Sequence, residues 1–141
     1  MQKARYKDHA TGIVCLSFRR RAFEFTWGSC MGIIQEFHAH VYYTTETRKS
    51  ALDLRERVAD LAGGRLTVYT LSDGPRGPHG TSMFGVDIPK ADLPDVLGFL
   101  MVNRGSHPIL IHPVTDNELL DHTHHAAWLG PPQLLDLSKL S

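Results

Sequence analysis

Ile33-Ile34-Gln35-Glu36-Phe37-His38-Ala39-His40-Val41-Tyr42-Tyr43 is the stretch on which the fold turns. Side chains alternate across a β-strand with period two, and here the alternation is strict. Phe37, Ala39, Val41 and Tyr43 form one face, and Glu36, His38, His40 and Tyr42 form the other. The first face suits a core. The second carries two imidazoles about 6.6–7 Å apart along the strand and pointing the same way.

Downstream, Thr45-Glu46-Thr47 opens a helix whose buried side is Ala51, Leu52, Leu54, Val58, Ala59, Leu61 and Ala62. Gly63-Gly64 stops it, as glycine does at helix C-termini. Residues 66–71 form a second strand, residues 72–78 a turn-rich loop, and residues 82–88 a third strand with Phe84, Val86 and Ile88 on one side. Pro89 leads into a second helix over 91–103 with Leu93, Val96, Leu97, Leu100 and Met101 inward. Residues 108–112 form a fourth strand. A polar turn at 115–118 comes next, then a short fifth strand at 125–129.

The order β-α-β-β-α-β is that of a ferredoxin-like α+β sandwich, an antiparallel four-stranded sheet with two helices on one face. Its first strand is central and its fourth lies beside it. His38 and His40 then face the open side of the sheet. With Ile109 and Ile111 turned to the helices, Leu110 and His112 join them there. The open face also bears Tyr42 and Met83, and it is too apolar for water alone. A second subunit, in a twofold homodimer, or the C-terminal tail is expected to cover it.

The remaining composition bounds the class. At 141 residues, 42% hydrophobic and 21% charged, the chain suits one domain with one core. No apolar run reaches the roughly 18 residues of a membrane span. A net charge of zero argues against nucleic acid. Residues 1–30 hold six Lys/Arg against two acids, and residues 31–141 nine against thirteen, so the charge divides at Met31. Residues 1–30 are expected to be an N-terminal extension, flexible or the product of a start codon placed before Met31. Residues 31–141 are the folded domain. Both cysteines, Cys15 and Cys30, fall in the extension, so disulfides do not hold the domain and a cytoplasmic setting is expected.

Of the nine histidines, seven fall in four short motifs around His38/His40, Gly77-Pro78-His79, His112-Pro113 and Asp121-His122-Thr123-His124-His125, while His9, in the extension, and His107, just before Pro108, are expected to have no functional role. Neutral imidazole is the commonest side-chain ligand for iron and zinc and a proton shuttle near neutral pH. His38, His40 and His112 share one surface. His79 sits in a loop stiffened by Pro75 and Pro78, which suits acid–base work or substrate contact. His122 and His125 can share a side if their segment turns, with His124 left to solvent. Asp87, Asp116 and Asp121 are the carboxylates able to complete a two-histidine, one-carboxylate site. Nucleophile-elbow, P-loop, dinucleotide-fingerprint and Cys-x-x-Cys patterns are all absent.

Phe37-His38-Ala39-His40-Val41-Tyr42-Tyr43, Gly77-Pro78-His79, His112-Pro113 and Asp121-His122-Thr123-x-His125-Ala126-x-Trp128-Leu129-Gly130, in that order, resemble the DOPA 4,5-dioxygenase family over residues 31–130. The resemblance implies a ferredoxin-like, dimeric domain that uses non-haem Fe(II) and O2 to open a catechol ring in the extradiol manner. It carries over His38, His40, His79, His112, His122 and His125. Gly80 stands where the family has a proline, and Val114-Thr115-Asp116 where it has an Asn-Thr-Gly-like turn. The expected metal ligands are His40, His112 and His125, with His38 the chief rival. His79, His122 and His38 are the expected acid–base groups, and Arg76 or Arg48 would meet a substrate carboxylate. A Zn-dependent hydrolase and a non-catalytic dimeric module binding a metal or an aromatic ligand are the competing readings on the same scaffold.

Overall fold

The alternating stretch forms strand β1 (Glu36–Tyr42) in a computed structural model that describes residues 34–61 and 63–140. The extension read for residues 1–30 lies outside the described residues. Strand β1 is followed by α1 (Arg48–Leu61), β2 (Thr67–Val68), β3 (Met83–Pro89), α2 (Leu93–Asn103), β4 (Ile109–Pro113), α3 (Glu118–Asp121) and β5 (Ala127–Leu129). The sheet order is β2-β3-β1-β4-β5 with every pairing antiparallel. This is the expected ferredoxin-like sandwich, with the fifth strand added beside β4.

The period-two reading of β1 holds in the packing. Ala39, Val41 and Tyr43 are buried in one cluster with Phe84, Val86 and Ile88 of β3 and Ile109 and Ile111 of β4. Helix α1 contributes Ala51, Leu54 and Val58 to that cluster, and α2 contributes Val96 and Leu100. The helical stripe is narrower than its apolar composition suggests. Leu52 and Met101 are exposed, each one residue and so about 100° round from a buried neighbour. Leu61 is exposed as well, at the last residue of α1.

Strand β2 is shorter than the expected 66–71. The segment still runs along β3, because Tyr69 N–H donates to Gly85 C=O at 2.9 Å and Ser72 pairs again with Met83. The larger departure is α3, a helical turn that begins at the end of the residues expected to form only a polar turn at 115–118. Asn117 caps it by accepting from Leu120 N–H at 2.9 Å. Among the described residues no helix is long and apolar enough to cross a membrane.

On the open face Tyr42, Met83 and Leu110 form a second apolar cluster, covered within the chain by Ala126, Trp128 and Leu135. Of the two covers anticipated for this face, the tail is therefore present in the chain itself. Beyond β5 it returns across the sheet, where Asp136 N–H donates to Pro78 C=O at 2.8 Å and Leu135 bridges to His79.

Candidate metal centre

Sheet register builds the site. In β1, His38 lies opposite His112 of β4 on one side and Asp87 of β3 on the other. Directly opposed residues share a face, so Asp87, His38 and His112 form a row across the open side. The next row is Gly85, His40 and Leu110. Gly85 matters because a Cβ there would stand 3.3 Å from the Tyr69 ring. Its bare backbone leaves Tyr69 room to lie over the strand beside His40. The loop before β3 then brings in His79, and α3 delivers His122 just beyond its last residue.

The five imidazoles form one cluster. Ring centroids are 4.2 Å apart for His40–His79 and for His112–His122, and 5.2 Å apart for His40–His112. His40 Nε2 and His112 Nε2 are 3.1 Å apart. One ring nitrogen from each of His38, His40 and His112 falls within 4.8 Å of the others, and so does one from each of His40, His79 and His122. Glu36, His38 and Asp87 make a third such group. His38 Nε2 lies 3.3 Å from both carboxylates.

Hydrogen bonds at the far nitrogens sort the rings. His112 Nδ1 donates to Pro113 C=O at 2.7 Å, and His122 Nδ1 donates to Glu118 C=O at 2.9 Å. A neutral imidazole that gives its Nδ1 proton to a carbonyl keeps its lone pair on Nε2, the state a metal ligand needs. Among the described residues His40 Nδ1 is buried with no partner. An imidazole nitrogen buried without a partner is costly, and a cation or water bound at that nitrogen would remove the cost.

The electrostatics agree. Burial first, then the neighbouring imidazoles His79, His112, His122 and His38, push His40 well below the usual histidine range. Burial likewise brings His79 down to about 4, helped by His122 and His112. His112 also falls to about 4, chiefly through burial. These rings are therefore neutral near pH 7, the form that ligates. An all-imidazole donor set with one orphaned buried nitrogen fits a first-row cation such as iron or zinc.

Of the residues expected to ligate, the fold brings His40 and His112 together. His125 stands apart, its side chain 42% exposed and its Nδ1 bonded to Asp121 at 3.0 Å. The residues expected to do acid–base work, His38, His79 and His122, all join the cluster. Asp121 is buried beneath α3, where it accepts from Thr115 N–H at 2.7 Å and Thr115 O–H at 2.8 Å. Burial works to raise its carboxyl, but the hydrogen bonds from His125 and Thr115 outweigh this and hold it below the usual carboxylate range. Asp116 is exposed and His124 points outward, bonded to Thr123.

A cavity of about 180 Å³ opens beside the cluster, lined by His38, His40, Asp87, Tyr69 and Arg76 among others. It is below the roughly 300–1,000 Å³ of drug-sized ligand sites and suits a single ring. Arg48 is not in it; its guanidinium is held by Asp73 at 2.9 and 3.1 Å. Two residues escaped the sequence reading. Tyr42 places its hydroxyl 2.7 Å from His79 Nδ1. His107, read as without a role, is buried and donates from Nδ1 to the Tyr42 carbonyl at 3.0 Å. The outward face of the 36/38/40/42 alternation was the available signal for Tyr42; nothing in sequence spacing marks His107.

Comparison with known proteins supplies the context. Residues 37–139 match the sequence model of the Dopa 4,5-dioxygenase family. A protein from Amanita muscaria named DOPA 4,5-dioxygenase is 33% identical over an alignment of 114 positions, covering 76% of this chain and 50% of that protein. The chain thus spans about half the length of that curated relative. An uncharacterized 21.2 kDa protein from Botryotinia fuckeliana is 34% identical over an alignment of 142 positions, covering 91% of this chain and 73% of its own. The crystal structure of a candidate dioxygenase from Nostoc punctiforme is similar with a TM-score of 0.71 and 32% identity, over 74% of this chain and 90% of that one.

Proposed function

The chain belongs to the Dopa 4,5-dioxygenase family, and on that premise we propose that it is an extradiol dioxygenase, opening a catechol ring beside its hydroxyls with non-haem Fe(II) and O2. The observation that carries the proposal is the cluster of imidazoles against a cavity sized for one ring. His40, His112 and His122 would hold the ion. His112 and His122 already keep Nε2 lone pairs by donating Nδ1–H to carbonyls, and His40 lines the cavity with its ring centroid 5.2 and 5.8 Å from theirs. The convergence of His38, His40 and His112 within 4.8 Å favours one alternative, with His38 as the third ligand. Bound Fe(II) would supply Lewis acidity towards a catechol and a path for electron density from the ring to O2.

The chain's own residues do the rest. His38 lines the cavity and is steadied by Asp87, so it is placed to accept a phenolic proton and return it after cleavage. Tyr69 donates to the other Asp87 oxygen at 2.6 Å, which fixes the carboxylate's orientation. Arg76 brings a positive charge to the same cavity and would meet a carboxylate on the catechol's side chain. The product is a muconic semialdehyde-type acid. A homodimer belongs to the same proposal, although Leu135 and Trp128 already cover the apolar trio of the open face.

The test is anaerobic loading of the full chain with Fe(II), then addition of L-DOPA or catechol in oxygenated buffer while visible absorbance and O2 uptake are recorded. A yellow product with equimolar O2 consumption is expected. Stoichiometric bound iron without O2 uptake would put the zinc-hydrolase or binding-module reading ahead. Size-exclusion chromatography with light scattering tests the dimer.

A further inference from the structure

We propose that Tyr42 fixes His79 as its Nε2–H tautomer, so that His79 faces the histidine cluster as a neutral hydrogen-bond donor and stays outside the metal's ligand set. The argument starts from a phenol with one proton. Tyr42 is only 2% exposed, and among the described residues its hydroxyl has one hydrogen bond, to His79 Nδ1 at 2.7 Å. Were Nδ1–H the donor, the phenolic proton would be buried without an acceptor. The economical arrangement is Tyr42 O–H donating to Nδ1. The proton of the neutral ring then sits on Nε2.

That is the opposite tautomer to His112 and His122, which give Nδ1–H to carbonyls and keep Nε2 lone pairs. Among these three rings of the cluster there are therefore two kinds, His112 and His122 with lone pairs for a cation and His79 presenting a proton. The geometry around Tyr42 and His79 is braced for this. The Tyr42 ring stacks on Trp128 at 5.7 Å and 24°. His107 holds the Tyr42 carbonyl from behind. The His79 loop is closed by paired backbone bonds with Arg76 at 2.9 and 3.0 Å and tied to the tail through Leu135.

A neutral Nε2–H aimed at the site stabilises negative charge growing on a substrate oxygen without giving up its proton. His79 is then the polarising donor, Tyr42 is a positioning residue, and the proton-accepting role falls to His38. This division of labour rests on the dioxygenase reading, whereas the tautomer does not, so the two can fail separately.

The experiment is long-range 1H–15N correlation NMR on the full metal-free chain with 15N-labelled histidine, at neutral pH. His79 is expected as Nε2–H, and Tyr42→Phe should shift it towards Nδ1–H. His79→Gln places an amide N–H near the Nε2 position, whereas His79→Asn places it near Nδ1. In the iron-loaded chain the Gln variant should keep kcat within about tenfold of wild type, and the Asn variant should lose about 100-fold. Both should bind Zn(II) within about twofold of wild type, since loss of even an outer-shell partner of a true ligand costs about 10–100-fold. An Nδ1–H tautomer for His79 in the wild-type chain would overturn the proposal, as would a loss of Zn(II) affinity beyond about 100-fold in both His79 variants. An Nε2–H tautomer in a wild-type chain that binds iron and cleaves no catechol would uphold the tautomer and overturn the catalytic role.

Discussion

Replacing Asp121 should loosen the segment that carries His122. The carboxylate is 2% exposed and accepts three hydrogen bonds, two from Thr115 and one from His125. Bonds to an ionised acceptor are worth about 1.5–3 kcal/mol each. The His125 bond is discounted, because that side chain is 42% exposed and recovers water when the bond is lost. The two Thr115 bonds remain, and Asp121→Ala is therefore expected to cost about 3–6 kcal/mol. For a domain of this size that is a fall in Tm of roughly 12–24 °C. Asp121→Asn keeps an acceptor for Thr115 N–H and should cost about half as much. Urea unfolding of the metal-free full chain, monitored by far-UV circular dichroism, gives both values. Because Asp121 closes α3 and His122 comes directly after it, Zn(II) affinity should fall alongside stability. An alanine variant within about 1 kcal/mol of wild type would refute the reasoning, because it would mean that the buried carboxylate organises nothing.

Three further outcomes are expected. Metal-free stability should fall on acidification. His79 and His112 hold folded values of about 4, set first by burial, against about 6.5 in the unfolded chain, so between these limits the unfolded state binds more protons and stability rises with pH. The slope from this pair approaches about 2.7 kcal/mol per pH unit near pH 5, measurable from urea midpoints at several pH values, and flat stability from pH 7 to 5 would contradict it. His112→Ala should abolish stoichiometric iron binding, whereas His38→Ala should retain iron and lose about 10²–10⁴-fold in kcat; loss of iron in the His38 variant would make His38 the third ligand. Arg76→Gln should raise KM about tenfold or more for a catechol with an anionic side chain and leave KM for unsubstituted catechol within about twofold, read by steady-state O2 uptake.

The row of site residues was legible because a strand repeats every two residues. Once β1 is central, His38, His40 and His112 must share the open face, and β4 sits in the register that makes it so. The core faces of β1 and β3 were equally readable. The segment after Pro113 was harder to read. Residues 115–118 are polar and short, and they look like a turn until Asn117 is seen capping α3. That single helical turn folds His122 back, with its Nδ1 on the Glu118 carbonyl and its ring against His112, while His125 is carried out to Asp121. A shift of one helical turn thus decides which imidazole faces the cluster, and residue spacing alone does not encode it. The Tyr42–His79 bond spans 37 positions and depends on the return of the tail, so local pattern carries no sign of it. The choice between Arg48 and Arg76 likewise depends on a tertiary contact, the Arg48–Asp73 pair.

The most direct test of the central claim is the fate of the oxygen atoms. The iron-loaded full chain would turn over catechol under 18O2, with the product reduced by borohydride at the quench so that the aldehyde oxygen cannot exchange with water. Mass spectrometry of the ring-opened acid should show both atoms of the dioxygen molecule in one product molecule. A ring-opened product with label in neither position, or with one labelled atom despite the quench, would contradict dioxygenation at this site.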